Sequence, residues 1–107
     1  MSIDALDPLI HAPKRLAAMA VLASSSSVSF GFLRDHLGVS DSDLSKQMSA
    51  LERAGYVKRE KTGYGRGGAT WYKVTRTGAA AYDRHLAALR AIVGDADGSG
   101  PGNSQDA

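Results

Sequence analysis

Positive charge is concentrated in one short part of this sequence. Residues 56–78 contain six Lys or Arg residues and a single acid, whereas the whole chain of 107 residues has 13 basic and 11 acidic residues. Five of the six lie in two strand-like runs and the loop between them: Lys58, Arg59, Lys61, Arg66 and Lys73. A local excess of cations attracts polyanions such as nucleic acids. Charge alone is equally compatible with a solvated hairpin that has no partner.

A second set of polar residues precedes this stretch at helical spacing. If Leu44, Met48 and Leu51 form the buried stripe of a helix, the other sides of that helix carry three small hydroxyls and two cations. These residues are Ser42, Ser45, Lys46, Ser49 and Arg53. Base edges in the major groove offer hydrogen-bond donors and acceptors, so short polar side chains allow a helix to approach them closely. The pattern favours a DNA-reading helix, although an ordinary solvated helix face has a similar composition.

The glycine-rich loop between the strand-like runs matches the spacing G-x-G-x-x-G at Gly63, Gly65 and Gly68. A dinucleotide site needs a helix directly after such a loop, whereas the strand-like run 69–74 follows here. We therefore interpret the loop as the tip of a hairpin. Arg66 at its centre suits the minor groove, where the negative potential attracts guanidinium groups.

The residue inventory gives little support to other kinds of site. The chain has no cysteine, which excludes disulfides and thiolate metal sites. Its three histidines are scattered, and Asp83 and His85 would lie about 200° apart on a helix, so they cannot hold one ion together. We expect no metal or other cofactor. No convincing nucleophile, base and acid arrangement can be assembled either, so we expect no enzymatic activity.

Periodicity and end signals predict three helices before the basic stretch. Pro13 suits the first turn of the first helix, because its missing N–H would be unpaired there. Ser29 and Ser40 are suited to cap the second and third helices, and Gly38 ends the second. The short connection 37–40 between those two helices is typical of a helix-turn-helix unit.

The basic stretch and the following residues predict a two-stranded hairpin and a fourth helix. The strands are expected at 56–61 and 70–75, each with one buried and one wet face. The fourth helix, at about residues 76–93, repeats apolar residues at spacings of three and four, which indicates a short helix–helix seam. The seam contains Ala79, Tyr82, Leu86, Leu89 and Val93.

The ends of the chain suggest one folded domain followed by a tail. Residues 94–107 contain four glycines and only alanine as an apolar type, so we expect a disordered tail after a domain at 1–93. The longest apolar run, 17–23, is too short to cross a bilayer, and the first residues lack the features of a secretory signal. We expect a cytoplasmic protein with no membrane partner.

Separated motifs resemble small winged-helix transcriptional regulators of the MarR/ArsR type. They are the run Leu51-Glu52-Arg53-Ala54-Gly55-Tyr56-Val57 and, after the Gly/Arg loop, Thr70-x-Tyr72-x-Val74-Thr75-x-x-Gly78-x-x-Ala81. The opening residues 7–16 resemble a compact stand-alone subgroup. The resemblance, over residues 4 to 93, implies a mostly helical α+β winged helix-turn-helix with an added C-terminal dimerisation helix. It places a recognition helix at 42–53 in the major groove and a wing at 58–73 beside it.

The resemblance also implies a function. We expect a homodimer that binds double-stranded DNA at a pseudo-palindromic operator and acts as a repressor, joined through Tyr82, Leu86, Leu89 and Val93. No metal sensor carries over, because the family's metal sites need cysteines or grouped carboxylates and histidines. Binding of an unidentified small-molecule effector is left open. The alternative is a winged-helix module that binds another protein through its wing and last helix.

Overall fold

The computed structural model describes residues 3–63 and 68–96. After a 3-10 turn at Ile3–Ala5, the elements are α1 (Pro13–Ala23), β1 (Val28–Ser29), α2 (Phe30–Leu37), α3 (Asp41–Arg53), β2 (Val57–Thr62), β3 (Ala69–Val74) and α4 (Arg76–Ala96). Helices predominate and the strands form one small antiparallel sheet. The predicted fold class is confirmed.

Side-chain caps and glycine define the helix-turn-helix formed by α2 and α3. The Ser29 hydroxyl accepts a hydrogen bond from the Phe32 amide, and the Ser40 hydroxyl accepts one from the Asp43 amide, both at 3.1 Å. Each bond satisfies one of the backbone donors that a helix N-terminus leaves unpaired. Gly38 ends α2 with φ of 68°, a left-handed conformation that favours glycine. These predicted boundaries are confirmed.

The sheet has three strands rather than the predicted two, in the order β1-β3-β2. Val28 lies opposite Tyr72 and Ser29 opposite Trp71. The sequence signal for β1 was missed because two residues are too short to show a period-2 alternation. Ser29 also serves as the cap of α2, so its local chemistry indicates a helix start. The extra strand attaches the beginning of α2 to the hairpin.

The core lies between the helices and one face of the sheet. Leu44, Met48 and Leu51 of α3 are at most 1% exposed, which confirms the predicted stripe. Val57 and Tyr72 bury the inner face of the hairpin, and their neighbours Lys58 and Lys73 are exposed, as the alternation predicts. The core also includes Ile10, Ala18, Met19, Leu22, Val28, Leu33 and Ala81.

The buried stripe of α4 differs from its apolar repeat. Gly78, Ala81, His85 and Ala88 are buried, whereas Val93 of the predicted seam is 59% exposed. Three small residues and a histidine do not register as apolar periodicity, so the sequence pattern selected the adjoining stripe. Leu86 and Leu89 are half-buried at the edge of the protomer.

The start of α4 is attached to the turn between α3 and β2. The Thr75 hydroxyl donates to the Gly55 carbonyl at 2.6 Å and accepts from the Gly78 amide at 2.9 Å. The Thr75 amide donates to the Tyr56 carbonyl at 3.0 Å. One threonine therefore caps α4 and fixes this helix against the chain that enters the hairpin.

The far end of the chain is only partly described. Helix α4 continues to Ala96, three residues beyond the domain end expected at Val93. The remainder of the predicted tail lies outside the described residues. Within the described residues, no helix combines the length and the apolar character that a membrane span requires.

Candidate nucleic-acid interface

Helix α3 presents most of its predicted polar residues to solvent. Ser42, Ser45, Lys46 and Arg53 are exposed, whereas Ser49 is half-buried. This arrangement follows from the wheel, because the three buried residues of α3 occupy the opposite stripe. The exposed side therefore combines short hydroxyl side chains with two cations.

The acidic start of α3 is neutralised by two residues that sequence reasoning did not select. The Arg34 guanidinium of α2 lies 3.0 Å from the Asp41 carboxylate, and the Lys14 ammonium of α1 forms an ion pair with Asp43. A hydrogen bond from Lys14, followed by one from Gln47, lowers the pKa of Asp43. The repulsion that these acids would exert on phosphates is thus partly compensated. The signal for these pairs is tertiary, since Lys14 and Asp43 are 29 positions apart.

The cations of the hairpin lie on two different faces. Residues directly opposite each other in an antiparallel pair share a face, and Arg59 is opposite the buried Tyr72. Lys58 is opposite Lys73 on the outer face, and the Glu60 carboxylate lies 4.0 Å from the Lys73 ammonium. The inner-face cations are Arg59 and Lys61, and the outer-face cations are Lys58 and Lys73. Arg66, predicted at the tip, lies outside the described residues.

Helix α3 and strand β2 lie side by side. The Arg59 guanidinium approaches the Glu52 carboxylate of α3 to 3.7 Å, which places the inner face of the hairpin next to the C-terminal half of that helix. The short turn at Ala54, Gly55 and Tyr56 makes this possible, since Gly55 adopts φ of 79°. The structure thus brings the polar face of α3 and the inner-face cations into one region of the protomer.

Four of the predicted interface cations make no ion pair within the described part of the chain. They are Lys46, Arg53, Lys58 and Lys61. Arg59 and Lys73 each lie near one glutamate. Unpaired surface cations are available to an external polyanion without first breaking an internal contact.

The described residues offer little for other chemistry. No group of three or more His, Asp or Glu side chains in this part of the chain is arranged to hold a metal ion. An open cleft of about 370 Å³ lies between the outer face of the sheet and the start of α2. It is lined by Ser25, Ser27, Val28, Ser29, Phe32 and Trp71. Trp71 is half-buried there.

A helix-turn-helix followed by a β-hairpin that lies beside its second helix defines a winged helix. The chain belongs to the winged helix DNA-binding domain family, whose model matches residues 14–93. No curated protein matches the chain in sequence. The family assignment confirms the resemblance of its motifs to small winged-helix regulators.

Solved structures with the same fold include several regulators. A transcriptional regulator homologue from Pyrococcus horikoshii OT3 superposes with a TM-score of 0.78 at 27% identity, over 83% of this chain and 88% of that chain. A MarR-family regulator from Enterococcus faecalis V583 has a TM-score of 0.72 at 23% identity, over 83% and 80% of the two chains. Rv0081 from M. tuberculosis has a TM-score of 0.62 at 26% identity, over 82% and 81%.

Proposed function

We propose that this winged helix protein is a transcriptional regulator that binds double-stranded DNA sequence-specifically as a homodimer. The observation that carries the proposal is the side-by-side placement of the polar face of α3 and the inner face of the hairpin, with four unpaired cations between them and on the adjoining surface. The similarity to the Pyrococcus horikoshii regulator homologue supports the assignment to transcription.

In this proposal, α3 enters the major groove. Lys46 and the exposed hydroxyls of Ser42 and Ser45 contact base edges, because they lie on the solvent side of the helix and are short enough to let its backbone approach. Ser49 is half-buried and has less reach. Arg53, at the end of the helix, is positioned for a phosphate contact.

The hairpin acts as the wing. Arg59 and Lys61 share the face that adjoins α3, so they meet the phosphates that flank the occupied groove. Lys58 and Lys73 lie on the other face and add to the local positive field. The proposed role of Arg66 is insertion into the adjacent minor groove.

The proposed dimer is formed through α4. Leu86 and Leu89 are half-buried and Val93 is largely exposed on one side of the helix. An open, mainly apolar hollow of about 450 Å³ lies at Leu89, Arg90, Val93 and Gly94, where a second copy of α4 can pack. A two-fold dimer places its recognition helices about one duplex turn apart, so the operator would be pseudo-palindromic. Occupying such a site excludes competing proteins, and we propose repression.

Selection of bound duplexes from a random pool tests sequence specificity directly. The selected duplex should bind the protein more tightly than a shuffled duplex by a factor of about 10³ or more. Lys46→Ala should reduce discrimination at one base position per half-site by about 1–3 kcal/mol, measured by titrating single-base variants of the selected duplex.

A matched charge removal separates base reading from general attraction. Arg84→Ala removes one cation from an exposed position on α4, away from α3 and the hairpin, and should leave the base preferences unchanged. The proposal fails if the pool yields no preferred duplex, or if Lys46→Ala and Arg84→Ala affect binding equally.

A further inference from the structure

A buried histidine pair joins the N-terminal segment to α4. His85 is 0% exposed. Its Nδ1 atom accepts a hydrogen bond from the Asp7 backbone amide at 3.0 Å, and its Nε2 atom lies 3.3 Å from Nδ1 of His11. Both contacts link residues more than seventy positions apart, and no sequence pattern indicates them.

The donors and acceptors of this cluster allow only one protonation state. A backbone amide can only donate, so Nδ1 of His85 must be unprotonated. The single proton of the neutral His85 ring is then on Nε2, where it donates to Nδ1 of His11. Nδ1 of His11 is consequently unprotonated as well. Both rings are neutral while both bonds exist, and neither of these Nδ1 atoms has a lone pair to spare.

Further bonds attach the same segment to the turn before the hairpin. The Asp7 carboxylate accepts the Tyr56 hydroxyl at 2.6 Å and the Leu9 amide at 2.9 Å. Ile10 is fully buried in the core. Residues 7–11, which we term the N-terminal clasp, are therefore held to α4 by the histidine pair and to the hairpin turn by Asp7.

We propose that the His11–His85 pair is a proton-operated latch, and that protonation of either ring releases the N-terminal clasp from α4. A proton on Nδ1 of His85 would face the Asp7 N–H. A proton on Nδ1 of His11 would face the Nε2–H of His85. Each event replaces a buried hydrogen bond by two opposed donors, and this costs the free energy of an unmet buried polar group. Opening the clasp restores water to both rings.

The surroundings of the pair set the pH at which the latch opens. Burial lowers the pKa of His85, the nearby His11 lowers it further, and the Asp7 carboxylate opposes these effects. Tyr56 and Arg84 are the other ionisable groups around Asp7. From α1, Lys14 and Arg15 direct their charged ends to Asp43 and to Gln47 and the Leu9 carbonyl.

The sign of the pH dependence follows from this lowered pKa. The open state, with a solvated His85, binds protons near the ordinary value of 6.5, whereas the closed state does not. Stability of the closed clasp therefore rises with pH wherever the open state binds more protons. The latch is closed above about pH 7 and loses stability as the pH falls below about 6.5.

Amide hydrogen exchange measured residue by residue tests the latch in the full chain. Between about pH 7.5 and pH 5.5, the protection factors of the Asp7 and Leu9 amides should fall about tenfold or more, after correction for intrinsic exchange. The amides of Leu44 and Met48 in α3 should keep their protection over the same range. Nitrogen-15 shifts of the His85 ring at high pH should show the tautomer protonated on Nε2.

Two substitutions test the assignment to this pair. His85→Gln replaces the ring by an amide that can accept from Asp7 but does not titrate, and should abolish the pH dependence of clasp protection. His11→Gln, at an exposed position, provides the same test if the first variant does not fold. His36→Gln is the control, since His36 is exposed on α2 and stacks on Phe32.

Each contrary result overturns the latch. These results are a clasp that remains protected to about pH 5.5, equal loss of protection in clasp and α3, a His85 ring protonated on Nδ1 at high pH, and a pH dependence that survives both glutamine variants or is abolished by His36→Gln. None of them depends on DNA binding.

Discussion

Gly78 occupies a position where two backbone segments almost touch. A Cβ atom added there would lie 2.0 Å from the Tyr56 carbonyl oxygen and 2.8 Å from its carbonyl carbon. The same carbonyl accepts the Thr75 amide that fixes the start of α4. The glycine in the Thr75-x-x-Gly78 motif is thus required by close approach rather than by an unusual φ angle.

Gly78→Ala should destabilise the protomer by about 3 kcal/mol, because rigid backbone rather than a flexible side chain must move to admit the methyl group. Thermal or urea unfolding would measure the loss. Gly31→Ala is the matched control within a helix, since its added Cβ would meet only the end of the Arg34 side chain at 3.7 Å. It should leave stability unchanged or raise it by up to about 1 kcal/mol. Equal effects of the two substitutions would contradict this explanation.

Among the secondary-structure elements, the hairpin separates its cations by face. Lys61 is opposite Thr70 on the face that adjoins α3, and Lys58 is opposite Lys73 on the other face. The alternation of a strand makes this separation unavoidable, because residues an odd number of positions apart point to opposite sides. The two lysines are thus a matched pair for finding which face of the wing meets DNA.

Lys61→Ala should weaken binding to all duplexes more than Lys58→Ala does, because only Lys61 shares a face with Arg59 beside α3. We expect a loss of about tenfold at moderate salt for Lys61→Ala, with a shallower salt dependence by about one unit of slope per site lost. Binding titrations at several salt concentrations measure both quantities. A larger loss from Lys58→Ala would assign the outer face to the duplex instead.

For the whole molecule, assembly depends on the part of α4 that extends along the edge of the core. The protomer buries the small-residue stripe of α4 and leaves Val93 exposed beside the apolar hollow. Exposed apolar surface of this kind is typical of an interaction site. Two copies joined here would double the number of phosphate contacts and so steepen the salt dependence of DNA binding.

Val93→Glu should convert the dimer to a monomer, because two carboxylates would be brought together in an apolar contact. The protomer should remain folded, since Val93 is 59% exposed. Mass measurement in solution reports the oligomeric state, and circular dichroism checks the fold. Ala91→Glu places the same charge about 200° around the exposed helix surface and should leave the mass unchanged. A Val93→Glu variant that retains the mass of the parent would refute this interface.

The elements and their order could be predicted from the sequence because their signals are local. Pro13, Ser29, Gly38 and Ser40 act through their own turns, and the stripe of α3 repeats within one helix. The two-residue strand β1 was not predictable, because it exists only through pairing with β3. The positive charge and the polar face of α3 were also readable, and with the family motifs they indicate DNA binding.

Tertiary packing decided which charged and polar groups meet. It paired Asp41 with Arg34 and Asp43 with Lys14, placed Glu52 beside Arg59, and so determined which cations are unpaired. It also turned His85 into the core against His11, although both are distant in sequence and His85 lies outside the apolar repeat of α4. Contacts between distant segments depend on how the helices dock onto the sheet, and no local pattern of residues records that arrangement.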